Sequence, residues 1–485
     1  MSSMIQSPEN ARQPGNLISV SLCYALFMWA FSALVASLTL YFTSFKGINI
    51  SQAYSLYAVY AALLWILPVL GGAASEKIGY LNASNIGVLI CLTAFAFLYA
   101  HTQVFTFIGL SLFLIGNALF TPSLWCIVDH LYQKEDSRRE AGFTLFYLLF
   151  NVGAVLGIFV SSYIHLRYNY HVEFLSCCLI LVTAYLLLNH TGSKLMIAEG
   201  RTIMPQLNWT KRRIYTSTLT LCTALTPLVY LLFKYPVLDT WLVYFISIVT
   251  LLYLTKLGHK QTKAATRHKV YGFIILCVFA LGFWTLYNLE PSLLSVFIQS
   301  FVNQNIFGLH VTADAFFGFE ALFIIIIGLI LTRLWLYLAQ RNKDPSLAIK
   351  FGMALVIMGL GFVYLYVITP SNGIRHSVPA IAIVLSYTLF ATGELFIGPL
   401  GISMVGKLAP EGKEGTLMGV WQLVVGIGAI ASGWLANQSV VSQHSSVVMQ
   451  QQAYASLFKN LSIIIILAGI VVLIVSPWVK RLLGD

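Results

Sequence analysis

Apolar runs of about twenty residues recur along this chain, each closed by a short polar or basic break. A helix needs about 20 mostly apolar residues to cross a bilayer. By that rule the pattern predicts fourteen spans, near 18–43, 52–74, 84–103, 105–128, 141–165, 171–190, 214–233, 238–257, 270–300, 312–340, 347–369, 377–405, 415–437 and 460–480. Pro227 and nearby polar residues interrupt the seventh, so it and its neighbour are the least regular of the set. Two polar, basic linkers, 191–213 and 256–269, bracket that pair. The expected organisation is a six-helix half over 1–190, a linker with two extra spans over 191–269, and a second six-helix half over 270–485.

Charge orients these spans. With the N-terminus inside, 23 of the 28 Lys and Arg fall on the cytoplasmic side, and only Lys46, Arg167, Lys234, Arg375 and Lys459 fall outside. Cytoplasmic loops carry such an excess, so both termini are expected in the cytoplasm and the chain in the plasma (inner) membrane. Composition agrees, with 58% hydrophobic and 9% charged residues against about 25% charged in soluble domains. Residues 1–15 are polar and show no cleavage signal, so the first span is expected to act as its own insertion signal.

The net charge of +11 is spread between spans rather than along one face, which argues against nucleic acid as a partner. Cys23, Cys91, Cys126, Cys177, Cys178, Cys222 and Cys277 lie in or beside apolar runs without metal-type spacing, and read as small core residues. His101, His165, His171 and His376 fall at outer loops and read as surface residues. No phosphate loop, nucleophile elbow or paired histidine motif is present, so neither enzymatic chemistry nor a cofactor or metal is called for.

The chemistry-bearing residues lie inside the apolar runs. Glu394 sits in Gly393-Glu394-Leu395-Phe396-Ile397-Gly398-Pro399-Leu400-Gly401. An ionised carboxylate in hydrocarbon is costly, so an intramembrane Glu marks a functional site by default. Glu290 and Glu320 either lie at depth in the same way or sit near the outer surface, simply solvated. Pro291 should break or kink the helix at Glu290, and freed backbone groups and water would then support the carboxylate. Burial disfavours the ionised form of a carboxyl in general, which suits reversible proton uptake.

The loop after the second span, Gly71 to Gly79, sets glycines beside an acid–base pair. Gly72, Glu76, Lys77 and Gly79 read as a conformational latch, with an ordinary tight turn as the alternative. In the fifth span Gly153 and Gly157 form a small-xxx-small pair that permits close helix packing. Asn151 places an amide at mid-membrane depth, for a substrate or for an interhelical hydrogen bond.

Three of these stretches, in order and at matching rank, resemble the proton-dependent oligopeptide transporters of the major facilitator superfamily. Phe146-Tyr147-Leu148-Leu149-Phe150-Asn151-Val152-Gly153-Ala154-Val155-Leu156-Gly157 is similar to the family's F-Y-x-x-x-N-x-G-x-x-x-G. The run around Glu394 resembles its tenth core helix, and Gly415-Thr416-Leu417-Met418-Gly419-Val420-Trp421 resembles its G-x-x-M-G-x-W. The 71–79 loop resembles the superfamily's G-x-x-x-D-R-x-G, with Glu76 and Lys77 at the charged positions. The resemblance implies an all-α polytopic major facilitator fold of two six-helix halves plus two extra central helices. A substrate site would lie at the midplane between the halves. It implies that Asn151 contacts a peptide backbone, Glu394 a peptide amino terminus, and that Trp421 lines the pocket. Trp284, Tyr24, Tyr147 and Asn288 join the candidate substrate-binding set by rank.

Departures from the family pattern are concentrated at its charges. At the positions of the first-helix E-x-x-E-R-F-x-Y-Y stand Tyr24, Phe27, Met28, Trp29, Phe31 and Ser32. The fourth-helix Lys is replaced by Thr121 before Pro122, and the seventh-helix Glu and Gln by Asn288 and Leu289. The lost groups are those that couple protons and hold a peptide carboxylate. The reading is a secondary active transporter that moves a small peptide or peptide-like, amphiphilic solute by proton symport and alternating access. Glu394 with Glu290 or Glu320 would carry the proton. Alternatives are a non-peptide solute such as a drug, metabolite or siderophore-like compound, or a non-transporting membrane scaffold. Expected partners are the solute, protons and the lipid bilayer; the sequence leaves the oligomeric state open.

Overall fold

The structure is a computed structural model describing residues 13–100, 102–132, 138–198, 210–341, 343–410, 413–442 and 445–483. His101 and three cations of the orientation argument, Arg12, Lys134 and Arg201, lie outside these residues. Helices α1 (Leu17–Leu40), α2 (Ile50–Ile78), α3 (Tyr80–Tyr99), α4 (Gln103–His130), α5 (Arg139–Arg167) and α6 (Tyr170–Ala198) come first. Next are α7 (Lys211–Lys234) and α8 (Pro236–His259). The third group is α9 (Ala264–Tyr287), α10 (Ser295–Phe301), α11 (Phe317–Gln340) and α12 (Leu347–Ile368). The last is α13 (Ala380–Leu395), α14 (Gly398–Leu408), α15 (Glu414–Asn437) and α16 (Val447–Leu483). Among the described residues these form 14 spans long and apolar enough to cross a membrane, as the apolar pattern predicts. Two spans are compound: α9 with α10, and α13 with α14.

The chain falls into two compact units. The first joins Met1–Leu34 to Leu67–Leu231, and the second joins Val35–Ile66 to Leu232–Asp485. Within the first, α3 and α4 touch at Gly87 and Gly116. A Cβ on either glycine would lie 2.7 Å from the other's carbonyl oxygen, so small residues set this distance. Phe95, Phe113 and Phe120 fill the space beside that contact and are fully buried. Within the second, α12 and α16 meet the same way at Gly352 and Gly469.

Helix ends depart from the predicted spans where polar residues continue a helix past the membrane. Helix α6 runs on to Ala198, through what the apolar pattern assigns to a linker, and α16 begins at Val447 rather than near 460. Hydropathy marks where the bilayer stops, not where backbone hydrogen bonding stops. In the early part of α16, Gln451 accepts from the Gly373 N–H (3.0 Å) and donates to the Ile374 carbonyl (2.9 Å), tying down a loop.

Proline behaves differently at three places. Helix α7 continues through Pro227. The Thr223 and Thr226 hydroxyls there donate to carbonyls four residues earlier, at 2.8 and 2.9 Å, so the polar groups that broke the apolar pattern are satisfied inside the helix. Pro399 lacks the N–H that would bond to Leu395, and the twelfth span breaks between α13 and α14. Pro291 is the second residue of a π-helical turn, Glu290–Leu294, between α9 and α10, which fulfils the predicted disruption. Short ladders close the loops after α10. Strand β1 (Val302–Asn303) pairs in parallel with β4 (Val378–Pro379), and β2 (Asn305–Ile306) forms a hairpin with β3 (Leu309–His310).

Candidate substrate and proton site

The second unit gathers three carboxyl groups from three spans. Glu290 opens the π-helical turn, where the Leu294 N–H reaches back five residues to the Leu289 carbonyl (3.0 Å). Side chains brace this turn: Asn288 Nδ2 donates to the Trp284 carbonyl (2.8 Å) and Ser292 Oγ to the Asn288 carbonyl (2.9 Å). Glu320 lies in the first turn of α11, and Glu394 in the last turn of α13, just before the break. Glu290 and Glu320 are 0% and 1% exposed, which displaces the solvated-surface alternative for both. Glu394 is partly accessible, with Oε2 buried.

Glu320 faces both Glu290 and Glu394 at a range where one carboxyl group can hydrogen-bond another. A hydrogen bond between two carboxyl groups requires that one of them carry a proton. No described Lys, Arg or His forms an ion pair with any of the three. Tyr57, Tyr287 and Tyr387 surround the cluster. Apart from the neighbouring Glu320 carboxyl group, both oxygens of Glu290 are buried with no hydrogen-bond partner among the described residues, as is the Tyr387 hydroxyl.

Rings and glycines fix the helix break beside Glu394. A Cβ at Gly401 would fall on the Trp421 indole, so α14 lies directly against that ring. Trp421 also meets Trp284 edge-on (6.3 Å) and Phe351 of α12 (6.2 Å). Both tryptophans named from the sequence are therefore buried, at 6% and 2% exposure for Trp284 and Trp421. On the other side, Phe396 packs on Trp335 (5.2 Å), whose face carries the Lys350 ammonium at 4.4 Å. Lys350 in turn pairs with Asp344 at 2.8 Å.

The first unit holds a different arrangement. Tyr24 and Thr121, which replace an acid and a lysine of the family pattern, stand within hydrogen-bonding reach of each other. The Tyr24 hydroxyl also accepts from Trp125 Nε1 (3.2 Å), and Thr121 donates to Asn117 Oδ1 (2.7 Å). Tyr24 stacks on Phe146 (4.9 Å), Phe27 on Phe120 (4.1 Å), and Tyr147 meets Phe150 edge-on (4.6 Å). Asn151 Nδ2 donates to the Tyr147 carbonyl of its own helix (2.9 Å), a bond within α5 rather than between helices. Gly153 and Gly157 pack α5 against α1: a Cβ at either would strike the Ala25 or Trp29 carbonyl.

The 71–79 segment is not a loop: residues 71–78 close helix α2, whose backbone hydrogen bonding continues past the apolar stretch, and Glu76 and Lys77 are both exposed there, neither pairing with another described residue. The close approach there belongs to Gly71, whose Cβ would land on the Ala118 carbonyl, while a Cβ at Gly72 would lie an ordinary 3.6 Å from Pro122. Gly79 adopts φ 87° and makes the turn into α3. One histidine reading is corrected. His165 is not a surface residue: its Nδ1 lies 2.9 Å from Oε2 of the fully buried Glu173, and its ring stacks on Tyr170 at 4.5 Å. Glu173, Asp239 and Lys350 are buried too, and each falls inside a predicted span, the same signal that singles out Glu394.

Fourteen spans with a cluster of carboxyls set within them fit a polytopic secondary transporter, and the major facilitator fold follows from the likeness to family and solved structures. The model of the POT family matches residues 74–457, and the chain belongs to that family. Two curated relatives illustrate the likeness. The di-/tripeptide transporter of Lactococcus lactis subsp. lactis (strain IL1403) is 24% identical over 455 residues, covering 90% of this chain and 89% of that protein. Dipeptide and tripeptide permease A of Chromobacterium violaceum is 24% identical over 477 residues, covering 96% and 94%. Among solved structures, the peptide transporter POT in complex with sulfate superposes with a TM-score of 0.84 at 23% identity, covering 97% of this chain and 96% of that one. Tetrameric PepTSo2 also gives 0.84, at 21% identity and 97% and 100% coverage.

Proposed function

We propose that this transporter couples proton movement to transport of a small peptide or peptide-like solute, and that the carboxyl cluster of the second unit does the coupling. The observation that carries this is Glu320, buried in contact with both Glu290 and Glu394. Glu394, the accessible member, receives the ammonium of the solute as a carboxylate. Glu320 and Glu290 hold the proton and exchange it as that ammonium arrives or leaves, so the cluster never carries three uncompensated charges. The names of the curated relatives support the peptide part of this reading.

Tyr24, Tyr147 and Asn151 are the first unit's contribution, and all are neutral. Without Arg or Lys at these positions a carboxylate cannot be clamped by charge-assisted hydrogen bonds. The preferred solute is then cationic or neutral and amphiphilic. Trp284, Trp421 and Asn288 act as supports of the acidic residues, and Gly72, Glu76, Lys77 and Gly79 as the latch of alternating access between an N-terminal half (1–190) and a C-terminal half (270–485). The membrane is the plasma (inner) membrane, with both termini cytoplasmic, as the 23 to 5 charge asymmetry supports.

The test is uptake of a labelled neutral dipeptide into proteoliposomes, with and without an inward proton gradient. Gradient-driven accumulation that disappears in Glu394→Gln supports the proposal; a variant with intact uptake and pH dependence defeats it. The rings around Tyr24 favour a second reading, in which the solute is a non-peptide amphiphile. Unlabelled dipeptides would then fail to compete with it.

A further inference from the structure

Among the described spans helix α8 is the least buried within the protein, and it ends in an unusual charge pattern. Only 17% of its most apolar stretch is buried within the protein. Trp241, Phe245, Ile248 and Leu252 form one outward stripe at helical spacing, each more than 60% exposed. The stripe runs straight into Lys256 and then Lys260, and the turn continues with Lys263, Arg267 and Lys269. These five cations fall within 256–269, a segment without a single Asp or Glu. The first four are exposed, and none of the five pairs with a described residue.

The backbone holds the cations together. Gly258 packs on the Tyr271 ring, where a Cβ would lie 3.1 Å from Cζ, and His259 meets the same ring edge-on. The hairpin between α8 and α9 is therefore tight. Lys256 with Lys260, and Lys263 with Arg267, are like-charge pairs four residues apart, a spacing that destabilises a helix. Lys263 and Arg267 also flank the start of α9, the end of a helix that disfavours cations. Orientation of the span needs an excess of positive charge but not this crowding.

We propose that the α8–α9 turn is a binding site for anionic phospholipid headgroups. The acyl chains lie along the Trp241–Leu252 stripe, and the phosphates are held by Lys256, Lys260, Lys263 and Arg267. A juxtamembrane cluster of four to eight Lys and Arg attracts anionic lipid in this way. The inference is independent of the solute and of proton coupling, since it uses none of their residues.

The test uses the full chain in neutral detergent. Native mass spectrometry counts retained phosphatidylglycerol against phosphatidylcholine, for the wild type and for Lys256→Gln/Lys260→Gln/Lys263→Gln/Arg267→Gln. A control variant neutralises Arg333, Arg341, Lys343 and Lys413 instead. The expected result is preferential retention of phosphatidylglycerol by the wild type and the control, and a loss of about tenfold or more in the α8–α9 variant. Equal retention in all three overturns the proposal. Should the variant not fold, a salt titration of the wild type decides: release of phosphatidylglycerol by about 0.5 M NaCl supports headgroup binding, and salt-resistant retention contradicts it. Thermal stabilisation by inorganic phosphate equal to that by phosphatidylglycerol also overturns it, because a free anion then suffices.

Discussion

The two units deal with polar groups inside a membrane protein in opposite ways. In the first unit the hydroxyls and amides around Tyr24 find neutral partners at short range: Trp125 with Tyr24, Thr121 with Asn117, Asn151 with Tyr147. The second unit brings Glu290, Glu320 and Glu394 together, gives the Glu290 oxygens no described neighbour but that cluster, and leaves the Tyr387 hydroxyl and the Trp284 indole N–H unpartnered among the described residues. An unpaired buried polar group costs stability, and such costs persist where function uses them. The difference teaches where to look for work in this molecule. Of the candidate site residues, the acidic ones are here held by the second unit, and those of the first are set among rings and close backbone contacts.

That contrast orders the expected effects of mutation. The largest belongs to Glu394→Ala, which removes the accessible carboxylate: solute affinity in an uptake assay falls on the order of 10- to 100-fold, the worth of a charge-assisted hydrogen bond. Comparable loss from Tyr24→Phe would erase the distinction between the units. Next come the close contacts of the first unit. Gly71→Ala forces a methyl onto the Ala118 carbonyl and costs about 1–3 kcal/mol of thermal stability. Gly72→Ala, with open space toward Pro122, leaves the unfolding midpoint nearly unchanged. The reverse order would mean that the latch glycine read from the sequence sets the approach after all.

Smaller effects follow. Tyr24→Phe loses the hydrogen bond from Trp125 and costs about 0.5–1.5 kcal/mol in unfolding, with no change in the pH profile of uptake. Asp344→Asn removes a partner of Lys350 that is 42% exposed at the side chain, so solvent screening holds its cost below about 1 kcal/mol. Lys350 keeps its contact with the Trp335 face in that variant. A larger loss, measured in the same detergent unfolding assay, would show that the ion pair rather than the ring packing secures the break beside Glu394.

Much of this architecture is legible in the sequence because the bilayer imposes one simple rule. Length and apolarity alone give the span count, and Gly153 with Gly157 declare a close helix contact before any coordinates exist. Pro291 announces the disturbed helix at Glu290. What stays hidden is three-dimensional convergence. Nothing in the spacing of Glu290, Glu320 and Glu394 reveals that the middle one touches the other two. Nor does spacing distinguish Gly71 from Gly72, since both look equally small. Helix ends in polar sequence, as in α6 and α16, escape a hydropathy criterion for a plain reason. Helix propensity and membrane depth are separate properties, and the apolar pattern reports only the second.

The central claim is that proton coupling resides in the second unit, with Glu320 at its middle. The most direct measurement is proton flux into proteoliposomes carrying Glu320→Gln, read by an internal pH indicator during solute uptake. Solute exchange between the two sides is measured in parallel. The account predicts that exchange persists while gradient-driven accumulation and solute-linked proton entry are lost. Proton entry that tracks solute as in the wild type would contradict it and send the search for the carrier elsewhere in the chain.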